Sequence, residues 1–151
     1  MDKIDRKILF ELQRNARASL QEIGQAVGLS PSPCWARIKR MEDEGVIEGY
    51  TVRIQPQALG LNDTVLLMVT LNSHSDNTLE KFGEQLATIP EVVEAHLGSG
   101  TYDYLLRVML KDTRDYERLL REKLYKIKGI QHSQSMFVLR TLKRSEMPLG
   151  Q

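Results

Sequence analysis

Residues 19–47, SLQEIGQAVGLSPSPCWARIKRMEDEGVI, narrow the choice of fold more than any other stretch of this chain. Ser19 and Glu22 have the spacing of a capping box, and Leu20, Ile23 and Val27 follow as the inward positions of a short helix. Gly28 suits a left-handed helix end. Ser30-Pro31 then opens a second helix, with Ser as N-cap and Pro at the first position, where a missing N–H costs nothing. Cys34, Ile38 and Met41 form the inward stripe of that helix, and Gly45 stops it. Arg37, Lys39 and Arg40 lie on it with no acid between Ser30 and Arg40. Two short helices joined by a glycine turn, the second one basic, predict a helix-turn-helix.

The competing reading is a helical hairpin that only makes core. Against it stand the short turn, the small residues Ser30, Ser32 and Ala36 early in the second helix, and its basic exposed side. On a helical wheel Ser32, Trp35, Ala36, Lys39 and Arg40 lie away from the apolar stripe. Ser32, Trp35 and Ala36 are placed to meet base edges, and Lys39 and Arg40 to grip phosphates or guanine edges. Arg37 sits at the border of the stripe, where the alternative is an ion pair with Glu42 or another local acid. Trp35 has an alternative too, as a half-buried anchor of the helix. Cys34 reads as a small buried hydrophobe.

Charge limits how such a helix works. The chain of 151 residues has a net charge of +1, unlike a generic nucleic-acid glue. Residues 1–54 hold nine Lys/Arg against eight Asp/Glu, so the half that carries the motif is nearly neutral. Glu42, Asp43 and Glu44 follow the basic helix directly. Doubling the phosphate contacts by dimerisation therefore matters, and it predicts a pseudo-palindromic operator on double-stranded DNA. No apolar run approaches the roughly 18 residues that span a bilayer, and the opening MDKIDRKILFELQ lacks a signal-peptide core. The single cysteine permits no internal disulfide. Together these predict a cytoplasmic protein with no membrane partner.

The pattern along the rest of the chain predicts an α+β protein of two domains. Asp2 caps a first helix, with Asp5 three residues on and Ile4, Ile8, Leu9 and Leu12 inward. Residues 46–54, VIEGYTVRI, read as a strand, the wing of a winged helix-turn-helix. The helix-turn-helix domain covers 1–54, and 55–63 (QPQALGLND) is the hinge. Domain 64–151 follows, with strands over 64–72, 92–97, 102–110 and 130–142. Its first helix is capped by Asp76 and carries Leu79, Phe82, Leu86 and Ile89. Its second begins at Asp112 or Thr113 and carries Tyr116, Leu120, Leu124 and Ile127. The order β-α-β-β-α-β is a ferredoxin-like sandwich. Leu66 and Met68, opposite Val65, Leu67 and Val69, make the second face of its sheet apolar, which predicts a partner sheet from another subunit.

The segment GSGTYDY links the second and third strands of that domain. Gly98 and Gly100, one residue apart, let the N–H groups around Ser99 and Thr101 point outward together. Asp103, after Tyr102, adds a carboxylate. Convergent N–H groups with one carboxylate suit a zwitterionic amino acid. The alternative is that the glycines serve only the turn.

GLSPSPCWARIKRMEDEGVIEGY resembles the DNA-binding segment of the Lrp/AsnC family, the feast/famine regulators of bacteria and archaea. DKIDRKILFELQRNAR resembles the first helix of that family, and the second half its amino-acid-sensing domain. GSGTYDY matches the family's glycine–x–x–aspartate loop at the effector pocket. The resemblance implies dimers through the C-terminal sheets, often assembled into octamers or other discs around which DNA wraps. It implies an amino-acid effector bound between dimers, with Ser133, Gln134 and Ser135 completing the pocket from a neighbouring subunit. No other cofactor is implied.

Two other classes compete. His74, His96 and His132 are scattered without metal-ligand spacing, and no Gly-x-Ser-x-Gly, P-loop or dinucleotide fingerprint is present. The surviving enzyme reading is a sirohaem decarboxylase, whose family this one resembles, but a basic second helix has no use there. A sensing module without DNA binding leaves the first 54 residues unexplained. The expectation is a regulator, not an enzyme.

Overall fold

The computed structural model describes residues 1–144, and the last residues of the expected second domain, 145–151, lie outside them. The chain divides into two compact units, one built on Met1–Arg53 and the other on Ile54–Leu142.

In the first unit three helices enclose one small core. Helix α1 (Lys3–Arg14) begins at Asp2, whose carboxylate accepts the N–H groups of Ile4 and Asp5, while Asp5 reaches back to the Asp2 N–H. Helix α2 (Leu20–Val27) has the reciprocal Ser19–Glu22 capping box and ends at Gly28, left-handed at φ 75°. Helix α3 (Pro31–Asp43) starts after Ser30 with proline in its first turn. Ile8, Ile23, Cys34, Ile38 and Met41 are buried together. The turn between α2 and α3 approaches α2 so closely that a side chain at Gly24 would meet the Leu29 carbonyl oxygen at 2.5 Å. Only glycine fits there.

The expected strand over 46–54 does not form. Among the described residues this segment pairs with no other strand, and Val46, Tyr50, Val52 and Ile54 are exposed. β-Branched side chains favour an extended backbone, but a ladder needs a second strand to receive its hydrogen bonds, and one chain supplies none here.

In the second unit a 3₁₀ turn (Pro56–Leu59) within the expected hinge precedes β1 (Asp63–Leu71). Then come α4 (Asp76–Ala87), β2 (Val92–Leu97), β3 (Tyr104–Leu110), α5 (Thr113–Glu122) and β4 (Ile130–Phe137). The strands lie in the order β2-β3-β1-β4 and every pairing is antiparallel. Alternation along β1 sends Val65, Leu67, Val69 and Leu71 into a core shared with Phe82, Leu86, Leu106, Val108, Tyr116 and Leu119. The other face of the sheet shows Leu66 and Met68 from β1 and Leu105 from β3, the last 43% exposed.

Several boundaries differ from the sequence expectation. The α4 cap is Ser75, one residue before Asp76. Strand β3 starts at Tyr104, because residues 102 and 103 are spent on the preceding loop. Helix α5 stops at Glu122, so Leu124 and Ile127 reach the core from a 3₁₀ turn (Leu124–Lys126) and the segment after it. Strand β4 ends at Phe137, opposite Val65 near the start of β1, since β1 offers little further edge to pair with.

Candidate DNA-reading helix and effector loop

Helix α3 presents one face to solvent. Ser32, Trp35, Ala36 and Lys39 are exposed there, Trp35 at 56%, opposite the buried Cys34, Ile38 and Met41. Trp35 is therefore not packed into the body of the unit. Its indole is available to a partner. Ser30 makes no side-chain cap bond, and no acid occupies the first turn, so the helix N-terminus is open to an anion. Burial pushes the Cys34 thiol above its ordinary value, in keeping with a core residue.

The cations of α3 do not share one environment. Lys39 pairs with Asp43 at 2.7 Å across an exposed turn. Such an exposed pair is screened by solvent, contributes little, and is readily exchanged for a phosphate. Arg40 has half its side chain exposed, yet donates to Asp5 at 2.8 Å. Arg37 is turned inward. It bonds Asp2 at 2.7 Å and Asp5 at 2.8 Å, and not Glu42, which accepts instead from the Tyr50 hydroxyl at 2.8 Å. Although the side chain as a whole is exposed, lost solvation around the hydroxyl and then the Glu42 carboxylate push the Tyr50 hydroxyl up to about 12. Of the expected contact residues, Ser32, Trp35, Ala36 and Lys39 are brought together on the outward face, with Ser30 at its start and Arg40 at its margin. Arg37 leaves the group, because two carboxylates of the α1 N-terminus hold it.

In the second unit, residues 98–103 form the loop between β2 and β3, and Gly98, Ser99, Gly100 and Thr101 are exposed. Gly100 has φ 143°, a backbone that side chains disfavour. Among the described residues the N–H groups of Ser99, Gly100 and Thr101 make no backbone hydrogen bond, whereas the loop base is tied by Gly98 N–H to Asp103 O and Asp103 N–H to Val69 O, both 2.9 Å. The Asp103 carboxylate is occupied. One oxygen accepts the Leu71 N–H at 2.7 Å and the other lies 2.9 Å from His74 Nε2. It acts first as a clamp between loop and sheet. His74 is one of the scattered histidines, and no sequence spacing joins it to Asp103; the path of the chain after β1 does.

Ser133, Gln134 and Ser135 do not share a face, because a strand alternates. Opposite Met68, Gln134 lies on the open side of the sheet and accepts from the Tyr102 hydroxyl. Ser133 and Ser135 lie opposite Val69 and Leu67 on the helix side, where Ser135 bonds the Tyr116 hydroxyl. Within one chain Gln134 and Tyr102 thus meet beside the loop, and the two serines lie on the helix side of the sheet. An open cleft of about 480 Å³ beside the start of β4 is lined by Tyr125, Gly129, His132 and Ser133 among others. Among the described residues no group of three His, Cys, Asp or Glu gathers to hold a metal, and no helix is long and apolar enough to cross a membrane.

The chain as a whole resembles known proteins. Residues 1–48 match a winged helix-turn-helix DNA-binding family and residues 64–148 the Lrp/AsnC ligand binding domain. The leucine-responsive regulatory protein of Escherichia coli K12 is 38% identical over 145 residues, 96% of this chain and 88% of that protein. An AsnC family transcriptional regulator from Agrobacterium tumefaciens superposes with a TM-score of 0.93 at 37% identity, over 99% of this chain and 97% of that one. A transcriptional regulator of Neisseria meningitidis, solved as its L-Met complex, gives 0.92 at 33% identity over the same shares. The chain belongs to the Lrp/AsnC family of DNA-binding transcriptional regulators.

Proposed function

We propose that this regulator reads a pseudo-palindromic operator as a dimer or an assembly of dimers, and that an amino acid modulates it through the 98–103 loop. The exposed face of α3 carries the reading: Ser32, Trp35 and Ala36 meet base edges in the major groove, and Lys39 and Arg40 meet phosphates. The dimer forms on the open face of the sheet, where Leu66, Met68 and Leu105 otherwise face water, and segment 46–54 has the strand-like composition to pair with its copy in a second chain. The free N–H groups of Ser99, Gly100 and Thr101 receive the effector carboxylate, with Tyr102 and Gln134 beside them. Asp103 holds the loop in shape and offers its remaining lone pairs to the ammonium. The setting is the cytoplasm, on nucleoid DNA, with no catalytic step.

Lys39→Ala tests the first part. The slope of log affinity against log salt should fall by about 1, with dimer mass unchanged in light scattering. An unchanged slope removes Lys39 from the interface. For the effector, L-methionine and other amino acids should raise the unfolding temperature of the wild-type protein but not of Gly100→Val, whose φ of 143° a β-branched side chain does not adopt. A panel in which no amino acid shifts the wild type sinks the sensing role.

A further inference from the structure

Among the described residues Asp5 is the one buried charged side chain, 1% exposed. A carboxylate withdrawn from water destabilises a fold unless its lone pairs are matched. Here they are. Oδ1 accepts from Arg37 at 2.8 Å, and Oδ2 accepts from Arg40 and from the Asp2 N–H, each at 2.8 Å. Burial alone would push the Asp5 carboxyl up, but the Asp2 N–H and the Arg37 and Arg40 guanidinium groups outweigh it and hold the group below its ordinary value.

The cluster joins the first turn of α1 to two successive turns of α3. The apolar stripe of Cys34, Ile38 and Met41 decides which side of α3 faces inward, but smooth apolar contacts tolerate a small rotation. Two charge-assisted bonds from positions i and i+3 to one carboxylate do not. A buried carboxylate with its ion pairs is often replaceable by apolar residues without loss of stability, and here the partners Arg37 and Arg40 stay 26% and 47% exposed, so cohesion alone does not account for the cluster. Base readout supplies an account, because contact side chains must be held within roughly 10–20° of the productive direction.

We propose that Asp5 is a positioning residue for DNA reading: it grips Arg37 and Arg40 and so fixes the rotation of α3 that aims Ser32, Trp35, Ala36 and Lys39. Arg37 is then a strut, not a DNA contact. The inference rests on α3 being the reading helix. It carries an unexpected sign. Removing an acid near a polyanion should tighten binding on charge alone; losing the strut should weaken specific binding.

The test uses the full-length protein and a duplex enriched from random DNA by selection with the wild type, against a scrambled duplex of the same length. For Asp5→Asn the ratio of the two affinities should fall by about tenfold or more, the effect of misreading a base pair, while binding to scrambled DNA stays equal or tightens. Arg37→Gln should lower the ratio in the same direction. The double variant should fall no further than the worse single one, since both break one strut. A folded Asp5→Asn protein with the wild-type ratio overturns the proposal, even if its unfolding temperature drops, because the residue would then serve stability alone. Should circular dichroism show Asp5→Asn unfolded, Arg37→Gln decides by itself, and an unchanged ratio overturns the strut. A selection in which the wild type enriches no motif overturns the reading helix and the strut together.

Discussion

Fifteen buried side chains make one apolar cluster in the sheet unit, whereas the three helices share five and add an ion-pair network in which Asp2 and Asp5 meet Arg37 and Arg40. The difference follows from size. A four-stranded sheet with two helices buries enough apolar surface to fix its own geometry. Three short helices do not, and directional contacts complete the packing through capping boxes at Asp2 and Ser19, a glycine at the tight turn, and the Asp5 network. A unit held by oriented charge is the better platform for aiming a helix. A unit held by burial carries the 98–103 loop on a sheet whose geometry its own core fixes.

The largest effect that separates the two is Leu67→Ala. Leu67 is fully buried in the middle of β1, and truncation should cost about 2–5 kcal/mol, read as lost hydrogen-exchange protection throughout the sheet and little changed by salt. Comparable loss of protection confined to the helices would break the contrast. Next comes Gly24→Ala. The added Cβ meets a backbone carbonyl that cannot swing aside, so the helical unit should lose about 1–3 kcal/mol, seen as faster exchange of α2 and α3 amides with the sheet unaffected. A stabilised Gly24→Ala protein would show that the turn relaxes freely.

The smallest effect sharpens the comparison through pH. The backbone N–H of Asp5 and the Arg37 guanidinium lower the Asp2 carboxyl to about 2, and Asp5 is also held below its ordinary value. A carboxyl lowered by folding stabilises the native state above its unfolded value, near 3.8 here, and that contribution is lost as pH falls through the folded value. Protection of the α1 and α3 amides should therefore hold down to about pH 4 and fade between about 4 and 2. Asp2→Asn should flatten that dependence, whereas equal acid sensitivity in wild type and variant would remove the network from the account.

How much of this was legible in the sequence depends on the range of the forces. Capping at Asp2 and Ser19, the left-handed end at Gly28 and the strand–helix order of the second half were readable, because each is fixed by neighbours within a turn or by a simple period. The outward placement of Ser32, Trp35, Ala36 and Lys39 followed from the same helical period. Arg37 was not legible: its partners lie 35 and 32 positions away, and position in sequence favoured Glu42. Gly24 drew no attention, since a glycine inside a helix looks like any other until the next segment packs against it. The Ser133–Gln134–Ser135 run illustrates a third limit. Three polar neighbours look like one site, but a strand divides them between two faces, and only the register with β1 shows which residue keeps company with Tyr102. The 46–54 segment had strand composition without a strand to join, and pairing is a property of two segments.

In the proposed function one unit reads DNA and the other receives an amino acid that alters the reading. That function is tested most directly by fluorescence anisotropy of a selected duplex titrated with the full-length protein, alone and with each amino acid in turn, L-methionine first. The expected result is a motif-dependent binding curve whose midpoint or cooperativity shifts with at least one amino acid, with the shift lost in Gly100→Val. Binding that is blind to sequence, or unmoved by every amino acid, would contradict it.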